Sequence, residues 1–205
     1  MWIKICGMTS AQAVATAVGE RVDALGFVFA RSVRQLEPAQ AVRLAEPARG
    51  RVLCVAVTLH PSQAAIDQIV REFMPDVLQT DFADLAGLRL PASLALLPVL
   101  RADASMSALP RPLPPRILFE GARSGTGHTT DWAQAARLSA RTQLVLAGGL
   151  IPANVAAAVA AVRPFGVDVS SGVEAAPGQK DPGRIVEFVR AARAALAGAQ
   201  HEHRD

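Results

Sequence analysis

Two apolar runs near the C-terminal end of the chain, Leu144-Val-Leu-Ala-Gly-Gly-Leu150 and Val167-Asp-Val-Ser-Ser-Gly-Val-Glu174, each lead into small residues. Such a run predicts a buried strand that breaks into a turn. Gly148, Gly149 and Gly172 allow backbone N–H groups to approach a ligand closely, because glycine has no Cβ. Turns of this kind beside a helix start bind anions. The two runs therefore predict a phosphate site, although ordinary strand-to-helix turns share their composition.

The rest of the chain repeats the same unit of a strand followed by a helix. Eight strands are predicted, at residues 2–6, 23–29, 51–57, 76–79, 94–100, 116–120, 143–147 and 166–169. Eight helices are predicted as well. The first begins at a capping box formed by Thr9 and Gln12 and runs to about Gly19, and two others follow an N-cap at Asp81 and at Asp131. The remaining helices are predicted at 38–46, at 61–73, within 104–109, at 152–162 and at 182–196.

Strict alternation of strands and helices implies a parallel sheet. Eight such units favour a single-domain (β/α)8 TIM barrel. The alternative is a doubly wound open sheet in which two of the strands are misassigned. No linker divides the chain, so residues 1–198 are predicted to form the barrel and 199–205 a frayed tail.

Composition narrows the class of protein. The chain has 205 residues, of which 51% are hydrophobic, which suits one domain with a sizeable core and argues against disorder. We expect no membrane span and no signal peptide, and hence a cytoplasmic protein. Cys6 and Cys54 are too few for a disulfide framework and lack metal-ligand spacing. The net charge of +3 comes from scattered arginines, which favours a small anionic substrate over nucleic acid.

Candidate functional residues lie where predicted strands end, because barrel enzymes place their sites there and hold phosphate after strands seven and eight. Cys6 ends the first strand and is a candidate general base, whereas Cys54 in mid-strand is expected to be a core residue. Glu120 ends the sixth strand. Arg34, in the loop after the second, is a candidate clamp for a carboxylate. Asp168 lies within the eighth strand and needs either a partner or a ligand.

Taken together, these groups predict metal-free proton transfer on a phosphosugar that bears a second anionic group. Short motifs at the same strand ends also recur in a known family. They are Lys4-Ile-Cys-Gly-Met8, Gly26-Phe-Val-Phe29 with Ser32-Val-Arg34, Gly125-Thr-Gly127 with Asp131-Trp132, Leu146-Ala-Gly-Gly-Leu150 with Asn154-Val155, and 167–174 with Pro177-Gly178 and Lys180-Asp181. In this order, over nearly the whole chain, they resemble the phosphoribosylanthranilate isomerase family.

The resemblance implies a cofactor-independent (β/α)8 enzyme of tryptophan biosynthesis, either monomer or homodimer. It would convert N-(5-phosphoribosyl)anthranilate to 1-(2-carboxyphenylamino)-1-deoxyribulose 5-phosphate by an Amadori rearrangement. The resemblance implies Cys6 as general base, Glu120 as general acid and Arg34 as the group that meets the anthranilate carboxylate. It implies a phosphate site formed by the backbone around Gly148, Gly149, Ser171 and Gly172.

Three positions depart from the family pattern. Glu120 stands where the family has aspartate, Val33 stands where proline is usual, and Gln79-Thr-Asp-Phe82 replaces a Gln-Leu-His-Gly turn. Two alternatives therefore stay open beside the isomerase. The first is a phosphosugar-binding barrel with lost or altered activity, and the second is a different phosphosugar isomerase or epimerase.

Overall fold

The computed structural model describes residues 1–101, 112–121 and 131–201, with side chains described as far as residue 195. Several predictions lie outside these residues: the helix within 104–109, nearly all of the glycine-containing loop at 121–130, and most of the tail at 199–205. Within the described residues, no helix is long and apolar enough to cross a membrane.

Eight parallel strands form a closed barrel in sequence order, which confirms the predicted fold class. The strands are β1 (Trp2–Cys6), β2 (Ala24–Val28), β3 (Leu53–Val57), β4 (Val77–Asp81), β5 (Ala95–Arg101), β6 (Arg116–Glu120), β7 (Gln143–Leu146) and β8 (Gly166–Val169). The barrel is closed by pairing of β1 with β8, in which Lys4 lies opposite Asp168. Residues at the C-terminal ends of distant segments are thereby brought to one rim.

Six α-helices are present in the described part of the chain: α1 (Ala11–Gly19), α2 (Pro38–Ala45), α3 (Gln63–Glu72), α4 (Trp132–Ser139), α5 (Val155–Val162) and α6 (Pro182–His201). Asp131 caps α4 as predicted. The capping box at Thr9 is wrong, because Ser10 caps α1 and accepts a hydrogen bond from the Ala13 amide. A helix does follow Asp81, but it is a 3-10 helix, Phe82–Gly87. The predicted cap is wrong, because the Asp81 side chain makes no capping hydrogen bond and accepts from Arg101 instead.

Alternate strand residues face two different layers. One face packs against the helices and includes Ile5, Leu25 and Cys54, so the prediction that Cys54 is a core residue is confirmed. The opposite face fills the barrel with a smaller apolar cluster formed by Leu97, Val99, Leu118, Val145 and Ala147. Above this cluster the inward-facing residues are polar, and they form the floor of a cleft.

A short antiparallel hairpin between β8 and α6 was not predicted from the sequence. Its strands are β9 (Glu174–Ala176) and β10 (Gln179–Lys180). Gly178, at its turn, has φ of +79°, and its carbonyl accepts a 2.6 Å hydrogen bond from Thr9 Oγ1. An added Cβ at Gly178 would lie 2.9 Å from the carbonyl oxygen of Val33. The hairpin therefore packs against the loops that follow β1 and β2.

Candidate active site

A cleft of about 280 Å³ opens at the C-terminal end of the barrel. Its polar and charged lining comes from seven of the eight strands or from the loops that follow them: Cys6, Arg31, Ser32, Arg34, Thr58, Gln79, Asp81, Arg101, Glu120, Asp168 and Ser170. Gln79 Oε1 is buried without a hydrogen-bond partner in the described part of the chain. Unpaired buried polar atoms are rare in folded proteins and are typical of ligand sites. The four catalytic and substrate-binding residues predicted from the sequence, Cys6, Glu120, Arg34 and Asp168, all line this cleft.

Cys6 lies beside a buried ion pair. Lys4 faces the barrel interior two residues before Cys6 and is fully buried. Its Nζ donates a 2.8 Å hydrogen bond to Oδ1 of Asp168. The charge of Lys4 also acts on the neighbouring Cys6 thiol, whose pKa it lowers. An isolated charge at this depth would be very costly, and pairing with Asp168 is what keeps Lys4 charged.

The ionisation of Cys6 is set by two opposing effects. Burial raises the pKa of the Cys6 thiol, while the positive charges of Lys4 and Lys180 oppose that rise. For Lys4, burial disfavours the charged form, but Asp168 and Cys6 outweigh it and raise its pKa. Loss of either lysine is therefore expected to make the thiolate harder to form.

Arg34 is held by Glu174 at the start of β9. Its Nε donates to Oε1 at 2.6 Å and its Nη2 to Oε2 at 2.7 Å. Lys180 Nζ donates to the same Oε1 at 2.7 Å. Burial disfavours the Glu174 carboxylate, but the two cations outweigh burial and lower its pKa to about 2. The loop arginine is therefore fixed by a carboxylate that is ionised at neutral pH.

Gly7 makes room for this arginine. An added Cβ would lie 2.5 Å from Cδ of Arg34, and the glycine has φ of +78°. Both observations require glycine after Cys6, because a side chain would collide and would also be strained. Arg34 consequently passes directly over the segment that carries the thiol.

Glu120 is paired with a residue that sequence analysis did not select. Nη1 of Arg101 donates to Oε1 of Glu120 at 2.8 Å. The same guanidinium donates to both carboxylate oxygens of Asp81, from Nη2 at 2.7 Å and from Nε at 3.2 Å. Asp81, Arg101 and Glu120 end three consecutive strands, β4, β5 and β6, and form one row along the rim.

The turns after β7 and β8 contain the glycines from which the phosphate site was predicted. Gly148 and Gly149 have φ of +90° and +68°. An added Cβ at Gly172 would lie 1.9 Å from the carbonyl oxygen of Leu150, so the two turns touch. Within the described ranges, the amides of four residues make no hydrogen bond: Gly148, Gly149, Ser171 and Gly172. Four unpaired donors on two touching turns are well suited to an anion.

Four charged residues complete the site and were not assigned roles from the sequence: Lys4, Arg101, Glu174 and Lys180. A lysine inside the apolar run Trp2–Cys6 could have indicated a functional residue, because lysine is seldom fully buried unless it is paired with a charge. Within the described residues, no group of three or more His, Cys, Asp or Glu side chains is placed to hold a metal ion. Reaction without metal or cofactor stays a prediction.

Comparison with known proteins gives a consistent result. The profile of the N-(5'phosphoribosyl)anthranilate (PRA) isomerase family matches residues 3–191. The N-(5'-phosphoribosyl)anthranilate isomerase of Mesorhizobium japonicum is 41% identical over 94% of this chain and 95% of the relative. The crystal structure of the phosphoribosyl anthranilate isomerase from Thermus thermophilus superposes with a TM-score of 0.81, at 27% identity, over 97% of this chain and 100% of that one.

A further isomerase structure of this kind was determined in complex with reduced 1-(o-carboxyphenylamino)-1-deoxyribulose 5-phosphate. It superposes with a TM-score of 0.77, at 29% identity, over 95% of this chain and 99% of that one. The closed barrel, with a polar cleft at the C-terminal ends of its strands, defines an enzyme of the (β/α)8 class. Within that class, the chain belongs to the N-(5'-phosphoribosyl)anthranilate isomerase family.

Proposed function

We propose that this chain isomerises N-(5'-phosphoribosyl)anthranilate with Cys6 as general base and Glu120 as general acid. The reaction is that of its family and belongs to tryptophan biosynthesis. The observation that carries the assignment is that a thiol and a carboxyl group line the same cleft from β1 and β6. These strands lie on different sides of the barrel, so a sugar placed between them meets one group on each side.

The chemistry requires one proton to be delivered and another to be removed. Glu120 donates a proton to the ribose ring oxygen as the C1–O bond breaks, which opens the ring and leaves an iminium group at C1. Cys6 then removes the proton from C2, and the electron pair of that C–H bond forms the enolamine. Tautomerisation of the enolamine gives the ketose. Lys4 stabilises the thiolate that performs the abstraction, and Asp168 holds Lys4 charged while also facing the substrate.

The two anionic ends of the substrate have separate partners in this proposal. The phosphate is bound by the unpaired amides of Gly148, Gly149, Ser171 and Gly172. The carboxylate of anthranilate is bound by Arg34. Because Nε and Nη2 of Arg34 face Glu174, the edge that includes Nη1 is the one offered to the substrate. Arg34 would therefore contact the substrate carboxylate through the end of its guanidinium group. The side that carries Nε and Nη2 is already bonded to Glu174.

Turnover by two single variants tests the assignment. Removing a general acid or base lowers the rate by about 10²–10⁴. Cys6→Ala and Glu120→Gln are therefore each expected to lose that much kcat with little change in substrate affinity. Cys54→Ala, which removes the other buried thiol, is the matched control and should keep wild-type kinetics. Normal kcat in Cys6→Ala or Glu120→Gln would refute that residue's role.

Complementation of a tryptophan auxotroph separates the isomerase from the alternatives. Growth with the wild-type chain and none with Cys6→Ala is the expected result. A wild-type chain that binds the substrate but does not restore growth would instead favour the phosphosugar-binding barrel. A cytoplasmic location and assembly as a monomer or homodimer are also part of this proposal. A solved relative from Thermotoga maritima is described as a dimer from which monomers were generated.

A further inference from the structure

The row formed by Asp81, Arg101 and Glu120 is the feature of the cleft that the reaction scheme leaves unexplained. Arg101 lies directly opposite Glu120 in the register of β5 and β6. Among the described residues, its guanidinium donates two hydrogen bonds to Asp81 and, through Nη1, one to Glu120. The three side chains are between 13% and 21% exposed, so their charges interact largely out of bulk solvent.

This geometry poses a problem for the proposed acid. A group that donates a proton must be protonated before it acts, whereas a hydrogen-bonded arginine stabilises the ionised carboxylate. Asp81 relieves the conflict, because it accepts two of the guanidinium hydrogen bonds and partly neutralises its charge. It also adds a second negative charge near Glu120. The carboxyl group is thus held in place by a cation whose effect on its charge is moderated.

We propose that Arg101, tethered by Asp81, is a positioning residue that fixes the carboxyl group of Glu120 and tunes its proton affinity. The inference rests on the proposed role of Glu120 as general acid. It links two departures from the family pattern. The longer acid and the carboxylate at position 81 are the two groups that Arg101 bridges.

Other charged groups also act on Glu120 and stay constant in the test. In the described part of the chain, those lining the cleft or bonded to its lining are Lys4, Cys6, Arg31, Arg34, Asp168, Glu174 and Lys180. Behind Asp81 lies the pair His60 and Asp84, joined by a 2.8 Å contact. None of these residues is itself replaced in the variants. The pKa of His60 is raised mainly by its hydrogen bond to Asp84. Asp81 also raises that pKa and Arg101 lowers it, but His60 does not line the cleft. A change in the pH profile of those variants therefore reports on the row itself.

The test is the pH dependence of kcat in four folded variants. The basic limb marks loss of the proton from the acid. Arg101→Met removes the cation, so the limb should move up by roughly 1–3 pH units. Asp81→Asn removes a negative charge and frees the guanidinium, so the limb should move down. Arg101→Lys keeps the charge but lacks the planar fork that contacts both oxygens of Asp81 while Nη1 reaches Glu120, so the limb should stay while kcat falls up to about 100-fold.

Arg116→Met is the matched control, because Arg116 begins the same strand that Glu120 ends and contacts Gln143 and the Phe165 ring. The basic limb of the kcat profile of Arg116→Met should not move. An unmoved limb in both Arg101→Met and Asp81→Asn, with Glu120→Gln inactive, would overturn the inference and leave the acid in place. Full activity in Glu120→Gln would overturn the proposed function instead. If Arg101→Met fails to fold, Asp81→Asn and Arg101→Lys decide the question.

Discussion

Lys4 is the residue whose removal should separate stability from catalysis most clearly. Its ammonium group is completely buried and lies 2.8 Å from a carboxylate that is 9% exposed. Lys4→Met keeps most of the side-chain volume but leaves Asp168 buried without its cation. Breaking a buried ion pair in this way costs about 3–5 kcal/mol. That loss would be a large part of the stability of an ordinary domain, which is about 5–15 kcal/mol.

A second substitution should return most of that stability. In Lys4→Met with Asp168→Leu, both charges are gone and the space is filled by apolar groups. Replacement of a buried pair in this manner is often neutral or stabilising. Urea unfolding followed by circular dichroism at pH 7 gives the comparison, from the midpoint and slope of each transition. Both variants should still have severely reduced kcat, because the Cys6 thiolate has lost Lys4.

The stabilisation that Lys4 provides should depend on pH in a defined direction. In wild type the pKa of Lys4 is raised, so its contribution to stability is complete below the unfolded pKa and is lost only as pH rises through the folded pKa. In Lys4→Met this contribution is absent, so the stability gap to wild type should narrow as pH rises through the folded pKa of Lys4. A loss below about 1 kcal/mol in the single variant, or a double variant no more stable than the single, would refute the ion-pair argument.

Two further perturbations address the loops around the cleft. Inorganic phosphate should raise the melting temperature of the wild type by binding the native state, and Gly149→Asp should abolish that rise by placing a carboxylate against the anion; a folded variant with an unchanged response would contradict the phosphate assignment. Glu174→Gln should unfold at lower urea than wild type at pH 7, because Arg34 and Lys180 lose their shared carboxylate. The Glu174 pKa is lowered to about 2, so the wild type should lose this advantage as pH falls from about 4 towards 2, and a gap between the two proteins that persisted at pH 2 would contradict it.

The barrel could be predicted from the sequence because each strand carries its own signal. Apolar runs such as Arg116–Glu120 are buried on both faces, as parallel strands are, and end at glycine or polar residues. The glycine turns were predictable for the same reason. At Gly148 and Gly149, a local backbone requirement selects the residue.

The ends of the strands that carry Arg101 and Asp81 could not be predicted from local sequence. The strand before Arg101 was predicted to end at residue 100, and that before Asp81 at residue 79, because the apolar run stops there. In the structure, pairing between neighbouring strands continues both by one or two residues and turns the charged side chains inward. The extension depends on the register with another segment, which no short stretch of sequence specifies.

Partners that lie far apart in the chain were equally unpredictable. Lys4 is 164 residues from Asp168, and Arg34 is 140 residues from Glu174. Asp168 was expected to need a partner or a ligand, because its place within a predicted buried strand would leave an unpaired charge. Which cation it meets follows only from closure of the barrel between β1 and β8.

Because β1 pairs with β8, the barrel can close only late in synthesis of the chain. One edge of β1 has no partner until residues 166–169 have left the ribosome, and Glu174 and Lys180 emerge later still. At roughly 5–20 residues per second, the first strand waits on the order of ten seconds or more with an open edge. During that interval Lys4 lacks its carboxylate and Arg34 lacks its anchor. The ion pairs that fix Lys4 and Arg34 can therefore form only after β8 and the hairpin β9–β10 have emerged.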